Sequence, residues 1–279
     1  MAQIGLTPVT RLRHGHRFWK RYTSFEFARD MVDCPVAEAE VLQAAATFPI
    51  AFRKSERGFY PVAILSMTPD KPTPFVSATG EWRASYVPSA LRCVPFQFRS
   101  PELQDKTGEG EFGLLVNESL DLVTDNPEDE PFFDRTGALG PELQNVQVFF
   151  RKLTASLENT YQLCRTIGGM GLFSPLACAQ MDECLGGYFG VDLAALRQVP
   201  SAHLSLLAMN GGLRLIHAHQ VSLTHCAWLL PAQMRAEELA KKSSTGVRSD
   251  ASEFMEALAA AQRKESLLDH RWQEGQYAI

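Results

Sequence analysis

The chain has 279 residues, 45% of them hydrophobic and 21% charged, with 19 Gly and 16 Pro. That length allows one large domain or two small ones, and the balance excludes both a disordered and a collagen-like chain. A formal net charge of −5 is too mildly acidic for a general nucleic-acid binder.

The charge is unevenly spread. Residues 1–30 carry +4, with Arg11, Arg13, Arg17, Lys20 and Arg21 clustered around Trp19, while residues 101–142 carry −10. The basic arm is expected to be solvated or to dock on the acidic loops of its own chain. The start of the chain lacks an apolar stretch followed by a small-residue cleavage site, and the longest apolar runs fall far short of the roughly 18–20 residues that span a bilayer. A cytoplasmic location without a membrane span is the expectation. The six cysteines, at 34, 93, 164, 178, 184 and 226, contain no C-x-x-C pair, so they are expected to be reduced and mostly buried.

In chain order, Pro35 followed by a run of helix formers predicts a short helix. Phe48-Pro-Ile-Ala-Phe-Arg53 and Gly58–Met67 read as two arms of a hairpin joined through residues 54–58. Val87-Pro88 and Val94-Pro95 interrupt any regular helix over 81–98. Phe112 to Val116 is a further strand. The clearest helix follows Gly140-Pro141, where Leu143, Val146, Phe150, Leu153, Leu157, Tyr161, Cys164 and Ile167 recur at spacings of three and four until Gly168-Gly169, read as a left-handed cap. Residues 173–191 read as a strand pair turning near Met181–Glu183, and Asp192 as the N-cap of a helix over 193–199. Two helices are expected over 201–230, the second capped by Ser222 and stopped by Pro231. Beyond it lies a tail with an amphipathic run, Phe254, Leu258, Ala261 and Leu267.

These elements describe an α+β fold with a β-rich N-terminal half, helices packed on it and a helical C-terminal extension. Residues 1–231 form one domain in this reading, and 232–279 a helical tail or an oligomer contact through which the chain would self-associate.

Three patterns bear on chemistry. Gly108-Glu-Gly110-Glu-Phe-Gly113 matches a dinucleotide fingerprint, but it precedes a strand where it should follow one, so no cofactor is expected. His217, His219 and His225 are the best enzymatic lead. On a helix His217 and His219 cannot share a face, whereas His219 and Ser222 can. His219 as acid/base or metal ligand, oriented by Ser222, is therefore the enzymatic alternative, although buried histidines bonded to backbone are commoner and no metal site is assigned. Arg53, Trp82, Tyr86 and Arg92 form the densest set of arginines and aromatics, suited to a peptide or a small anionic ligand. Core packing and internal ion pairs are the competing account of the same residues.

Several blocks resemble the bacterial SapC family: Phe48–Arg53, Tyr60–Leu65 and above all Trp82-x3-Tyr86-Val-Pro88-x3-Arg92-x2-Pro95-Phe96. Glu40-x3-Ala44-x3-Phe48-Pro49, Gly186-Gly187-Tyr188-x2-Val191-Asp192-x3-Leu196 and Ala218-His219-x2-Ser222-Leu223 extend the resemblance over roughly residues 10–230. It implies a bacterial accessory or binding role linked to the cell surface or to TonB-dependent uptake. It brings no catalytic residues with it.

Overall fold

The structure is a computed structural model that describes residues 5–69, 71–98, 112–176 and 186–244, with side chains described through Glu238. In chain order it runs β1 (Leu6–Pro8), α1 (Arg11–His14), β2 (Phe18–Trp19), β3 (Asp33–Pro35), α2 (Val41–Ala45), β4 (Ile50–Ser55), β5 (Gly58–Ile64), α3 (Ser89–Arg92) and β6 (Phe96–Phe98). There follow β7 (Leu114–Asn117), β8 (Val123–Thr124), β9 (Glu130–Pro131), α4 (Pro141–Gly169), β10 (Phe173–Pro175) and β11 (Phe189–Val191). Four helices complete it: α5 (Leu193–Arg197), α6 (Ser201–Asn210), α7 (Gly212–Ser222) and α8 (Cys226–Ser244). The fold is α+β, with the strands gathered in the N-terminal half and the longer helices after them.

The strands form three antiparallel sheets. The largest has the order β10-β11-β4-β5-β3, and the two smaller ones are β1-β7-β6 and β8-β2-β9. The expected hairpin is its centre: β4 and β5 pair from Ile50↔Ala63 to Ser55↔Gly58. Ile50, Ala51 and Phe52 are all buried, a continuous apolar run rather than an alternating one, as befits a strand covered on both faces.

Two hydrophobic cores result. The larger gathers Phe48, Ile50, Phe52, Ile64, Leu65 and Met67 with Leu207, Leu215 and Leu229. The smaller gathers Trp19, Phe96, Leu114, Phe132 and Phe133. Helix α4, about 43 Å long for its 29 residues, serves both. Its Leu143 and Phe150 lie in the smaller core, and its Leu163, Cys164 and Ile167 in the larger.

The basic arm is woven into the acidic segment. β1 pairs with β7, and β2 lies between β8 and β9. Arg13 grips Glu118 through two hydrogen bonds of 2.7 and 2.8 Å. Arg17 pairs with Asp125 at 2.5 Å, and Arg21 pairs with Glu142. The internal-contact reading of the arm therefore holds.

Several expectations are corrected. Pro35 ends β3 instead of starting a helix, and the helix begins at Val41 after a 3-10 turn over Glu38–Glu40. Helix α4 runs through Gly168 and Gly169, and the left-handed glycine is Gly171, φ +71°. The helical stretch from 201 breaks at Gly211, φ +89°, a conformation that costs glycine little. Ser222 is the last residue of α7 and caps nothing. Pro231 does not stop a helix but sits inside α8. On either side of it Leu229 and Gln233 are buried, and Gln233 is tied to the chain beside the larger core. The Gln233 Oε1 accepts from Met67 N at 2.9 Å, and its Nε2 donates to Ser66 Oγ at 2.6 Å.

By its internal contacts the chain divides into two units, Met1–Gln233 and Met234–Ile279. The turn expected near Met181 and the amphipathic run 254–267 lie outside the described residues, as does most of the Gly108–Gly113 pattern. Among the described residues no helix is long and apolar enough to cross a membrane.

Candidate functional site

The residues singled out for chemistry fall into three clusters. The first centres on Glu40. Its Oε2 accepts from Tyr86 Oη at 2.6 Å, Ser89 N at 2.9 Å and Ser89 Oγ at 2.7 Å, and its Oε1 accepts from Ala37 N at 3.2 Å. Burial first, and then the hydrogen bond to Glu40, push the Tyr86 phenol up to about 12. The Trp82 indole N–H donates to Tyr86 O at 2.8 Å, and its ring lies against Phe25 and Phe75. Arg92 donates from Nε to Val87 O at 2.8 Å and stacks over the Tyr86 ring at 5.0 Å. Tyr86 is thus pinned by a buried carboxylate, and Trp82, packed against the larger core, is tied to the Tyr86 backbone. Arg92 is exposed, and its two terminal nitrogens have no partner among the described residues.

Arg53, the fourth residue of that expected group, belongs elsewhere. Its Nε donates to Asp33 Oδ2 at 2.6 Å and its Nη2 to Tyr188 Oη at 2.9 Å. The Tyr188 hydroxyl donates to the same Asp33 oxygen at 2.5 Å, and the guanidinium lies 4.5 Å from the Tyr188 ring centroid. Burial, then the neighbouring Asp33, raises the Tyr188 phenol well above its ordinary value. Arg53 shares no hydrogen-bond partner with Trp82, Tyr86 or Arg92 among the described residues.

His219 and Ser222 form the third cluster, buried under α7. β11 meets β4 at Phe189↔Phe52, so in antiparallel register Val191 should next face Ile50. The imidazole occupies that gap. Its Nδ1 lies 2.6 Å from Ile50 O, and Val191 N donates to its Nε2 at 3.2 Å. A backbone N–H can only donate, so Nε2 is the acceptor and Nδ1 carries the proton. The ring thus stands in for a ladder hydrogen bond. The Ser222 hydroxyl accepts from Ile50 N at 2.9 Å and donates to His219 O at 2.7 Å. The backbone opposite is close: a Cβ on Gly190 would stand 3.2 Å from His219 Nε2 and 2.8 Å from Leu176 Cδ1. Burial lowers the His219 pKa, against the opposing effect of its bond to Ile50.

The other histidines of the run are split by helix geometry. His217 is exposed. His225 Nε2 lies 2.9 Å from Ala45 O, and its Nδ1 accepts from Trp228 Nε1 at 3.0 Å. Among the described residues no three or more His, Cys, Asp and Glu side chains gather where they could hold a metal ion. Cys34, Cys164 and Cys226 are buried and Cys93 is half-buried, all as free thiols. Burial pushes Cys93 to about 11 and Cys164 to about 12, which keeps both protonated at neutral pH. Cys178 and Cys184 lie outside the described residues.

Glu40, Asp33 and Tyr188 organise two of these clusters, and reasoning from the residues alone missed all three. Glu40 and Tyr188 stand inside the blocks that carry the family resemblance, which is the one signal that marks them.

A family model, SapC, matches residues 9–229. No curated protein matches the chain, and no solved structure does.

Proposed function

The chain belongs to the SapC family, and from that premise we propose that it is an accessory or binding protein that takes a peptide or small anionic ligand on the shelf of Trp82, Tyr86 and Arg92. The role fits an association with a bacterial surface or a TonB-dependent uptake system. The observation that carries the reading is the state of Arg92, exposed and placed over the Tyr86 ring, with no partner for its terminal nitrogens among the described residues. A guanidinium held flat on a ring presents a fork that matches a carboxylate in plane. Trp82 supplies apolar surface beside it, and Glu40 fixes the Tyr86 ring from below. Arg53, already paired with Asp33, supports β11 through Tyr188 in this reading rather than touching the ligand.

An acetylated octaglutamate peptide and citrate are suitable probes, titrated into the full chain by calorimetry. Saturable binding of either, weakened about 10-fold or more in Arg92→Gln, is the expected outcome, since a hydrogen bond to a charged group contributes about 1.5–3 kcal/mol. Arg92→Lys keeps the charge and loses the fork, so it should recover only part of the affinity. Equal affinity in Arg92→Gln, or no binding of either probe, sinks the proposal.

A further inference from the structure

A second feature shares no residue with the shelf. Between β3, β5 and the middle of α4 lies a cleft of about 110 Å³, walled by Pro35, Val36, Tyr60, Pro61, Leu157 and Tyr161. It opens at the level of α4 where the helix passes from one core to the other. The floor is apolar, and Thr160 beside it has its hydroxyl engaged by Ser156 O and Glu38 N. The two tyrosine rings stand 5.8 Å apart, inclined at 46°.

Two properties set this cleft apart from ordinary surface. Tyr86 and Tyr188 have their hydroxyls committed to carboxylates, whereas those of Tyr60 and Tyr161 have no hydrogen-bond partner among the described residues. The rim, moreover, is balanced in charge. Arg57 lies 4.7 Å from the Tyr161 ring centroid and is ion-paired with Glu158. Arg53, the cross-strand neighbour of Tyr60, is ion-paired with Asp33. Arg53 and Arg57 are each paired with an acid, which leaves neither free to recruit an anion and favours an uncharged occupant. The volume is smaller than the roughly 150 Å³ in which a benzene molecule sits dry, which limits the occupant's apolar part to one small ring or branched group.

We propose that this cleft docks an extended, uncharged peptide segment through a proline, its pyrrolidine ring seated between Tyr60 and Tyr161 and its backbone carbonyls accepting from their hydroxyls. A polyproline II segment fits on three counts. It has no internal hydrogen bonds, so every carbonyl is available. Its conformation is set in advance, so a single-ring anchor loses little entropy on binding. Its rings are the size and shape that grooves lined by aromatic side chains accept.

The test uses the full chain and acetylated decaproline amide, with an acetylated Gly-Ser decapeptide as control, followed by amide chemical shifts or calorimetry. Decaproline should bind saturably and the control should not. Tyr161→Phe removes one donor without changing the ring and should weaken binding about 3- to 10-fold, the equivalent of one neutral hydrogen bond. Leu157→Trp fills the cleft and should abolish binding; if that variant does not fold, Tyr161→Phe and Tyr60→Phe still decide the matter. Arg92→Gln should leave decaproline binding unchanged, which separates this cleft from the shelf. Three results overturn the proposal: no saturable binding, equal binding of the Gly-Ser peptide, or affinity indifferent to both tyrosine hydroxyls.

Discussion

Glu118 and Glu40 are both acceptors at the centre of a hydrogen-bond network, and the regions around them are built differently. Glu118 lies among the acidic loops, where Arg13 binds it bidentately and His14 and Thr7 add further bonds at 3.1 and 2.9 Å. Glu40 lies against the larger core, and its hydrogen bonds come from a phenol, a hydroxyl and two backbone N–H groups. The first region has a small core and is stitched to the N-terminal arm by charge. The second has a large core, and the groups that donate to Glu40 there are uncharged. His219 follows the second pattern, because both its ring nitrogens serve backbone groups. The contrast teaches that one chain can use screened ion pairs where water reaches and neutral hydrogen bonds where it does not.

Removing Glu40 gives the largest effect. Glu40→Ala leaves the Tyr86 hydroxyl and both donors of Ser89 without an acceptor in a buried site, at a cost of about 3 kcal/mol or more. The urea midpoint should fall accordingly with little dependence on salt. A loss below about 1 kcal/mol would show that water replaces the carboxylate easily.

Next comes the imidazole between β4 and β11. His219→Ala removes the bridge and opens a void, costing about 2–3 kcal/mol. Acid acts on the same contact. Because burial lowers the His219 pKa in the folded chain, its contribution is complete above the ordinary histidine value of about 6.5. It is lost as pH falls below that value and through the folded one. His14, also lowered chiefly by burial, adds a dependence of the same sign. Urea midpoints of the unmodified protein should drop between pH 7.5 and 5, and less steeply in His219→Ala. Parallel curves for the two proteins would refute the assignment.

Glu118 should give the smallest effect, with the salt dependence that Glu40 lacks. The bonds from Arg13 first, then Thr7 and His14, hold its carboxyl at about 2 against an ordinary 4.5. Its contribution is therefore present above the ordinary value and lost as pH falls through about 2. Part of the pair is open to solvent, so Glu118→Gln should cost only about 1 kcal/mol. Molar salt should halve even that, because exposed charges are screened. Thermal melts at low and high salt check it, and a cost that does not change with salt would place Glu118 with Glu40.

Much of this was legible in local sequence. The hairpin over Phe48–Met67, the spine of α4 and the Asp192 cap all follow from spacing, because the causes act within a few residues. Asp192 Oδ1 duly accepts from Ala194 and Ala195 N at 2.8 and 3.1 Å. Charge allowed the arm either to be solvated or to dock on the acidic loops, and the ion pairs of Arg13, Arg17 and Arg21 show the docking. The three-residue β3, by contrast, is too short to have a period. The partners of Tyr86 and Arg53 lie 46 and 135 residues away in Glu40 and Tyr188, and no spacing rule reaches that far. Arg53, Trp82, Tyr86 and Arg92 looked like one group because all four are polar-aromatic surface formers, yet two different carboxylates divide them.

Composition, charge pattern and periodicity thus determined the class of fold, its main helix and its central hairpin, since hydrophobic periodicity and capping are written into neighbouring residues. Only the tertiary structure decided what the polar side chains do. His219 bridges two strands because β11 and α7 converge on Ile50, and the chain stays helical at Pro231 with Gln233 anchored two residues beyond it. Such outcomes depend on where distant segments meet, because a buried polar group must find its hydrogen bonds wherever the fold brings a partner.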